Sequence, residues 1–300
     1  MSTPPNLQPG CEIGKTLRGM AAYLLKQGQG IVDDPKIEGT KAVHDVRRLM
    51  KRWRSTLRLL SPWLEGENGT LREEARALAR RLSVARDAQS ALDAFHDASE
   101  NPPTGIPALS GRTLASIQRR LEELRASNEK VGWNKALKRD LSAYFATAAA
   151  QAARWPVDDV TFADLAERLA RTYRRARRAI PDDWEAVAPE DLHELRRRVI
   201  EHRYQMELVE PAWPRFGRMW VEEAQRLRSR LGAYQDLEML RALTAPHRPL
   251  ARWRSRLLPI IAARQADHAK SAARVAARLF AEPPKAFRRR IEAIWEGQAE

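Results

Sequence analysis

Two stretches of this 300-residue chain concentrate side chains that carry positive charge and donate hydrogen bonds. The first is Val43-His44-Asp45-Val46-Arg47-Arg48-Leu49-Met50-Lys51-Arg52-Trp53-Arg54, with Arg58 one turn further on. The second is Leu192-His193-Glu194-Leu195-Arg196-Arg197-Arg198-Val199-Ile200-Glu201-His202-Arg203-Tyr204. Arginine presents a planar fork of donors that matches phosphate oxygens, and lysine adds a point charge. A histidine beside them is a further donor, stronger when protonated. The chemistry on offer is therefore recognition of a polyanion. A zinc site is not expected, because the positions one turn after each histidine are Arg47, Arg48, Arg196 and Arg197, which repel a cation.

A helical wheel at ~100° per residue divides the first stretch cleanly. His44, Arg47, Arg48, Lys51, Arg54, Ser55 and Arg58 fall in one sector, and Val43, Val46, Met50, Trp53, Leu57 and Leu60 lie opposite. The apolar side is core. The cationic side has no structural purpose of its own, since like charges at i,i+3 and i,i+4 repel and Asp45 is the only acid from Lys41 to Leu60. On the second stretch His193, Arg196, Arg197, Arg203 and Tyr204 share a face, with Ile200 where Lys51 stood and Glu207 where Arg58 stood. His202 falls on the apolar side, as a packed residue. The preceding helix carries Arg168, Arg171, Arg175 and Arg178 at three- and four-residue steps with no acid between them, and is expected to support this weaker copy.

The elements that hold these faces are all helical. Apolar residues recur at helical spacing, and β-branched residues never cluster in alternation. The pattern predicts helices over about 12–26, 40–60, 70–96, 110–125, 135–153, 161–180, 189–209, 215–243, 250–280 and 286–295. Gly28 and Gly30 are read as interrupting the first, Thr40 and Thr70 as capping the second and third, and Pro189 as a first-turn proline. Residues 155–159, Trp-Pro-Val-Asp-Asp, read as a linker between halves at 10–153 and 157–297.

The halves repeat. His44 and His193 are 149 residues apart, and the same offset matches Arg54 with Arg203, Pro62 with Pro211, Glu73-Glu74-Ala75 with Glu222-Glu223-Ala224, Arg81-Leu82 with Arg230-Leu231 and Asp87 with Asp236. One ungapped register across turns points to duplication. The expected fold is all-α, two four-helix bundles related by an internal pseudo-two-fold axis. Asp87 and Asp236 are read as structural partners of arginines rather than as a catalytic pair.

Composition agrees. Lys and Arg number 53 against 39 acids, for a net charge of +14, while 43% of residues are hydrophobic, enough for a core. The single cysteine, Cys11, excludes an intrachain disulfide. No segment is apolar enough to span a bilayer, no leader is apparent, and a cytoplasmic location is expected. There is no phosphate-binding glycine-rich loop before Lys-Ser/Thr and no HExxH. No enzymatic activity, cofactor, metal or obligate protein partner is expected.

The pattern His44-Arg47-Lys51-Arg52-Arg54, with its copy His193-Arg196…Arg203-Tyr204…Glu207, resembles the conserved histidine α-helical domain (CHAD) family. Arg81-Leu82…Arg86-Asp87 and Leu231-Gly232…Asp236 resemble that family's paired helix motif. The resemblance covers roughly residues 10–297. It implies two four-helix bundles whose basic faces line a groove or pore for long-chain inorganic polyphosphate, at polyphosphate granules. It also implies no catalysis, because the alternating glutamates and strands of the triphosphatase domain fused to some members are absent. Ile200 departs from the basic residue expected at that turn. The expected polyphosphate contacts are His44, Arg47, Arg48, Lys51, Arg54, Arg58, Arg168, Arg171, Arg175, Arg178, His193, Arg196, Arg197, Arg203 and Tyr204. The alternative is a basic helical nucleic-acid-binding protein, which wants exposed aromatics among the cations; Tyr204 is the only aromatic on a motif face.

Overall fold

The computed structural model describes residues 5–297 apart from 65 and 83, with the side chains of 67, 68, 84–87 and 128–132 outside that description. Eleven α-helices are found there and no strand among the described residues: α1 Ile13–Asp33, α2 Gly39–Leu59, α3 Glu67–Arg81, α4 Val84–Glu100, α5 Gly111–Gly132, α6 Lys135–Ala152, α7 Phe162–Arg178, α8 Pro189–Val209, α9 Pro214–Ala242, α10 Arg254–Leu279 and α11 Pro284–Glu296.

Local chemistry explains several helix starts. Ser110 and Asn134 accept the backbone N–H groups of Thr113 and Leu137 and start α5 and α6. Thr161 and Asp164 close a reciprocal capping box at the start of α7. Pro189 begins α8 at a position where its missing N–H costs nothing.

Three expectations are corrected. Helix α1 runs through Gly28 and Gly30 to Asp33. A side chain at Gly28 would meet the ring of Phe145 at 2.6 Å, so this glycine serves close packing of α1 on α6 rather than a break. Neither Thr40 nor Thr70 is a cap: α2 begins after Glu38 and α3 after Gly66, two and four residues earlier. The third expected helix is two, with α3 ending at Arg81 and α4 starting at Val84, whereas its counterpart α9 is continuous over 29 residues.

The two halves use corresponding contacts. Helix α1 packs on α6 and on α2, as α7 packs on α11 and on α8; α4 packs on α5 as α9 packs on α10. Joining the halves are α2 against α8 and α4 against α9. Each half thus supplies five corresponding segments, counting α3 with α4 as one. The main apolar core draws residues from both halves, including Trp53, Tyr144, Phe145, Leu195 and Phe287, and a second cluster joins α4 and α5 to α9 and α10 through Phe95, Leu121, Leu240 and Ile261. The connection between α6 and α7 is packed rather than loose: Trp155 stacks on Trp53 with centroids 5.6 Å apart, and a side chain at Gly14 would lie 2.4 Å from the carbonyl oxygen of Val157.

His202 is fully buried, as its apolar-side position requires. It sits among Tyr173, Phe280 and Phe287, and Trp220 Nε1 donates to its Nε2 at 2.8 Å. Burial, reinforced by Arg290, pushes its pKa down to about 3. The unfolded chain protonates this histidine below about 6.5, while the folded chain stays neutral until about 3. Its contribution is therefore intact above pH 6.5 and is lost as pH falls, at about 1.4 kcal/mol per pH unit. His202→Gln retains an acceptor for Trp220, and urea unfolding at pH 6.0, 5.0 and 4.0 should show a shallower loss than in the parent by about one proton. Parallel curves for the two proteins would contradict this.

Candidate polyanion site

The apolar side of α2 fixes where its cations point. Val43, Val46, Met50, Trp53, Leu57 and Leu60 are all buried. Trp53 is tied down further, since its Nε1 donates to the Tyr144 hydroxyl at 2.5 Å and that hydroxyl donates to the Leu71 carbonyl at 3.0 Å. With that side held, His44 and Arg48 are exposed and Arg47, Lys51 and Arg54 are half-buried on the opposite side. Ser55 departs from the wheel: it is buried, because α8 crosses α2 there.

The crossing is reciprocal. Ser55 Oγ donates to the Glu201 carbonyl at 3.0 Å, and Gln205 Nε2 donates to the Ser55 carbonyl at 3.3 Å. Arg58 pairs with Glu201 at 2.6 Å and Arg52 with Glu207 at 3.2 Å. Under the 149-residue offset Arg52 corresponds to Glu201 and Arg58 to Glu207, so each ion pair maps onto the other. This is how contacts behave across a two-fold axis.

On one side of the crossing lies a cavity of about 770 Å³. Among the described residues its cations are Arg47, Arg48 and Lys51 of α2, Arg203 of α8 and Arg228 of α9, with His44 beside them, and its acids are Glu38 and Asp93. Trp133, Tyr204 and Val43 give it an apolar patch. The Arg203 guanidinium lies 4.2 Å over the Tyr204 ring and pairs with Glu207 at 2.5 Å. Tyr204 is itself largely buried.

On the other side Arg54 is surrounded by its own kind. Burial, then the like charges of Arg58, Arg76, Arg197 and Arg72, lower its guanidinium from the ordinary value. The offset carries Arg54 to Arg203, Arg197 to Arg48 and Arg76 to Gln225, and those three all line the cavity. The two sides thus correspond in part: Arg54 and Arg197 recur as Arg203 and Arg48, whereas Arg58, Arg72 and Arg76 have Glu207, Val221 and Gln225 as counterparts. Arg72 and Arg76 of α3 were not singled out in the sequence; the four-residue steps of Arg72, Arg76 and Arg80 were their signal. Arg228 and Gln225 had no such signal.

The remaining expected residues divide. His193 and Arg197 are exposed on α8. Arg196 donates to Gln235 and lies against Gly232, where a side chain would come within 3.2 Å of its guanidinium. Arg58 is committed to Glu201. Arg168 does not reach a polyanion face: its Nη2 donates to the Arg58 carbonyl at 3.1 Å and to Ser61 Oγ at 3.0 Å, and its Nε to the Leu59 carbonyl at 3.3 Å. The carbonyls at the negative end of α2 are a natural seat for arginine. Arg171 and Arg175 are exposed beside it, and together with burial they lower its guanidinium. Arg178 is exposed at the end of α7. Arg72 and Arg76 of α3 thus add to the cations around Arg54, and Arg168 of α7 is engaged with the end of α2. Asp236 is half-buried on α9 and engaged, and the side chain of Asp87 lies outside the described residues.

Among the described residues no three His, Cys, Asp or Glu side chains gather as a metal site, and no helix is long and apolar enough to cross a membrane.

Comparison with known proteins agrees with this architecture. The family model described as the CHAD domain matches residues 16–245. No curated protein matches the chain. Among solved structures, the crystal structure of the CHAD domain from the plant Ricinus communis is similar with a TM-score of 0.53 at 15% identity, over 99% of this chain and 94% of that one.

Proposed function

This chain belongs to the CHAD domain family, and on that premise we propose that it binds long-chain inorganic polyphosphate along the basic faces flanking the α2–α8 crossing, without catalysing a reaction. The observation that carries this reading is the cavity lining, in which, among the described residues, five arginine and lysine side chains and His44 face two acids. Charges of one sign in a concave, partly desolvated site concentrate a counter-ion of the opposite sign. Arg54 with its arginine neighbours forms a second basic cluster on the other side. A linear polyanion would satisfy successive donors in turn, releasing condensed counterions as it does so. The proposed setting is the cytoplasm, at polyphosphate granules.

Trp133 and Tyr204 in the lining favour a second reading, because a base can stack on an aromatic face. The Arg203 guanidinium already covers Tyr204, which leaves less of that surface. Competition separates the two. Labelled long-chain polyphosphate should bind and should resist displacement by tRNA at equal phosphate concentration. Ready displacement would transfer the site to nucleic acid.

A further inference from the structure

A second basic depression lies between α9 and α10, with a volume of about 530 Å³. Arg226 and Arg230 of α9 and Arg274 and Arg278 of α10 line it, with the hydroxyls of Ser229 and Ser271 between them. On each helix the two arginines are four residues apart, a spacing at which like charges repel. Its one acid among the described residues, Asp97, is already held by Arg264 at 2.9 Å and by His268 at 3.1 Å. Glu223 pairs with Arg226 at 2.7 Å and lies 3.9 Å from Arg278. Arg230 and Arg274 have no ion pair with any described residue.

The position of Gln225 gives this depression a direction. Gln225 lines both it and the α2–α8 cavity, and its Nε2 donates to Ser229 Oγ at 3.1 Å. The two linings therefore share one neutral amide on α9. The sequence repeat duplicates this feature on α3 only in part: the offset places Arg81 opposite Arg230 but Ala77 opposite Arg226.

We propose that the α9–α10 depression is a second phosphate-binding segment, and that one polyphosphate chain occupying the α2–α8 cavity continues over Gln225 to reach Arg230 and Arg274. This rests on the proposed polyphosphate binding and adds a consequence to it. Affinity depends on ligand length, because only a chain long enough to leave the first cavity gains the second set of contacts. The free cations in the second segment, rather than those of the cavity, then separate long ligands from short ones.

The test is the exposed double variant Arg230→Glu/Arg274→Glu, titrated with tripolyphosphate and with long-chain polyphosphate. Arg230→Gln/Arg274→Gln is titrated in parallel, and circular dichroism melting confirms folding of both. Affinity for long-chain polyphosphate should fall about tenfold or more in the charge-reversed protein, and less in the neutral one. Affinity for tripolyphosphate should stay within about twofold of the parent, and the salt dependence for the long ligand should drop by about two ions. Unchanged affinity for the long ligand would overturn the second segment while leaving the proposed function intact. An equal loss for both ligands would also overturn it, since the residues would then belong to the first site. A parent chain that binds neither ligand would remove both proposals.

Discussion

Reversing the charge of Arg48 and Arg197 together is expected to weaken binding of long-chain polyphosphate by about a hundredfold or more. The two residues correspond under the 149-residue offset and lie on opposite sides of the α2–α8 crossing. Arg48 lines the cavity, and Arg197 is one of the cations that act on Arg54. A charge-assisted hydrogen bond to phosphate contributes about 1.5–3 kcal/mol, and each 1.4 kcal/mol is roughly tenfold in affinity. The fold should be spared, because both side chains are exposed, 66% and 53%. Each forms an ion pair with an acid three residues earlier, Asp45 at 3.8 Å or Glu194 at 3.2 Å, and such exposed pairs contribute about 0–1 kcal/mol. Isothermal titration of Arg48→Glu, Arg197→Glu and the double variant, with melting curves as control, reads the result. If one ligand spans the crossing, the single losses add. If either single variant equals the double, only one side binds. Full affinity in the double variant would remove both residues from the site.

The second large effect is on stability. Glu201→Ala should cost about 2–4 kcal/mol, measured by urea unfolding near neutral pH. The Glu201 side chain is 4% exposed and accepts from Arg58, itself 26% exposed, at the point where α2 and α8 cross. Removing one member of a buried pair leaves the other charge without its partner, at about 3–5 kcal/mol when burial is complete; the partial exposure of Arg58 reduces this. The repulsion between Arg58 and Arg54 also goes unopposed there. Replacing both partners, Glu201→Leu with Arg58→Met, should recover most of the loss, because the desolvation cost of the ions disappears with them. Ligand binding should move the other way. In Glu201→Ala the freed Arg58 joins the Arg54 cluster, so affinity for polyphosphate should rise several-fold as stability falls. A variant with unaltered stability would show that the pair does not hold the crossing.

Much of the site was legible before the structure because it depends on periodicity. A helix turns by a fixed angle per residue, so the sequence of α2 alone separates Val43, Val46, Met50 and Trp53 from Arg47, Arg48 and Lys51. The structure keeps that division with one exception, Ser55, where a second helix approaches the polar side. The boundaries of α7 and α8 were legible for the same local reason, since Thr161 with Asp164 and Pro189 act within one turn. Gly28 shows the limit of local reasoning. A glycine breaks a helix or admits a neighbour, and only the ring of Phe145, 117 residues further along the chain, decides which.

The sequence by itself determined an all-helical chain, an internal repeat at a 149-residue offset and two cationic helix faces, the first with Asp45 as its single acid. Those properties are local or periodic, and every copy of the chain carries them whatever its packing. Only the tertiary structure decided which arginines remain available. Arg58 and Arg168 are indistinguishable from Arg48 and Arg171 by residue type and spacing, yet one meets Glu201 and the other the carbonyls that end α2. Arg72, Arg76 and Arg228 join the basic faces because α3 and α9 are brought beside α2 and α8. Electrostatic interaction falls with distance in space and not with separation along the chain, so the partners of a charge are settled by packing.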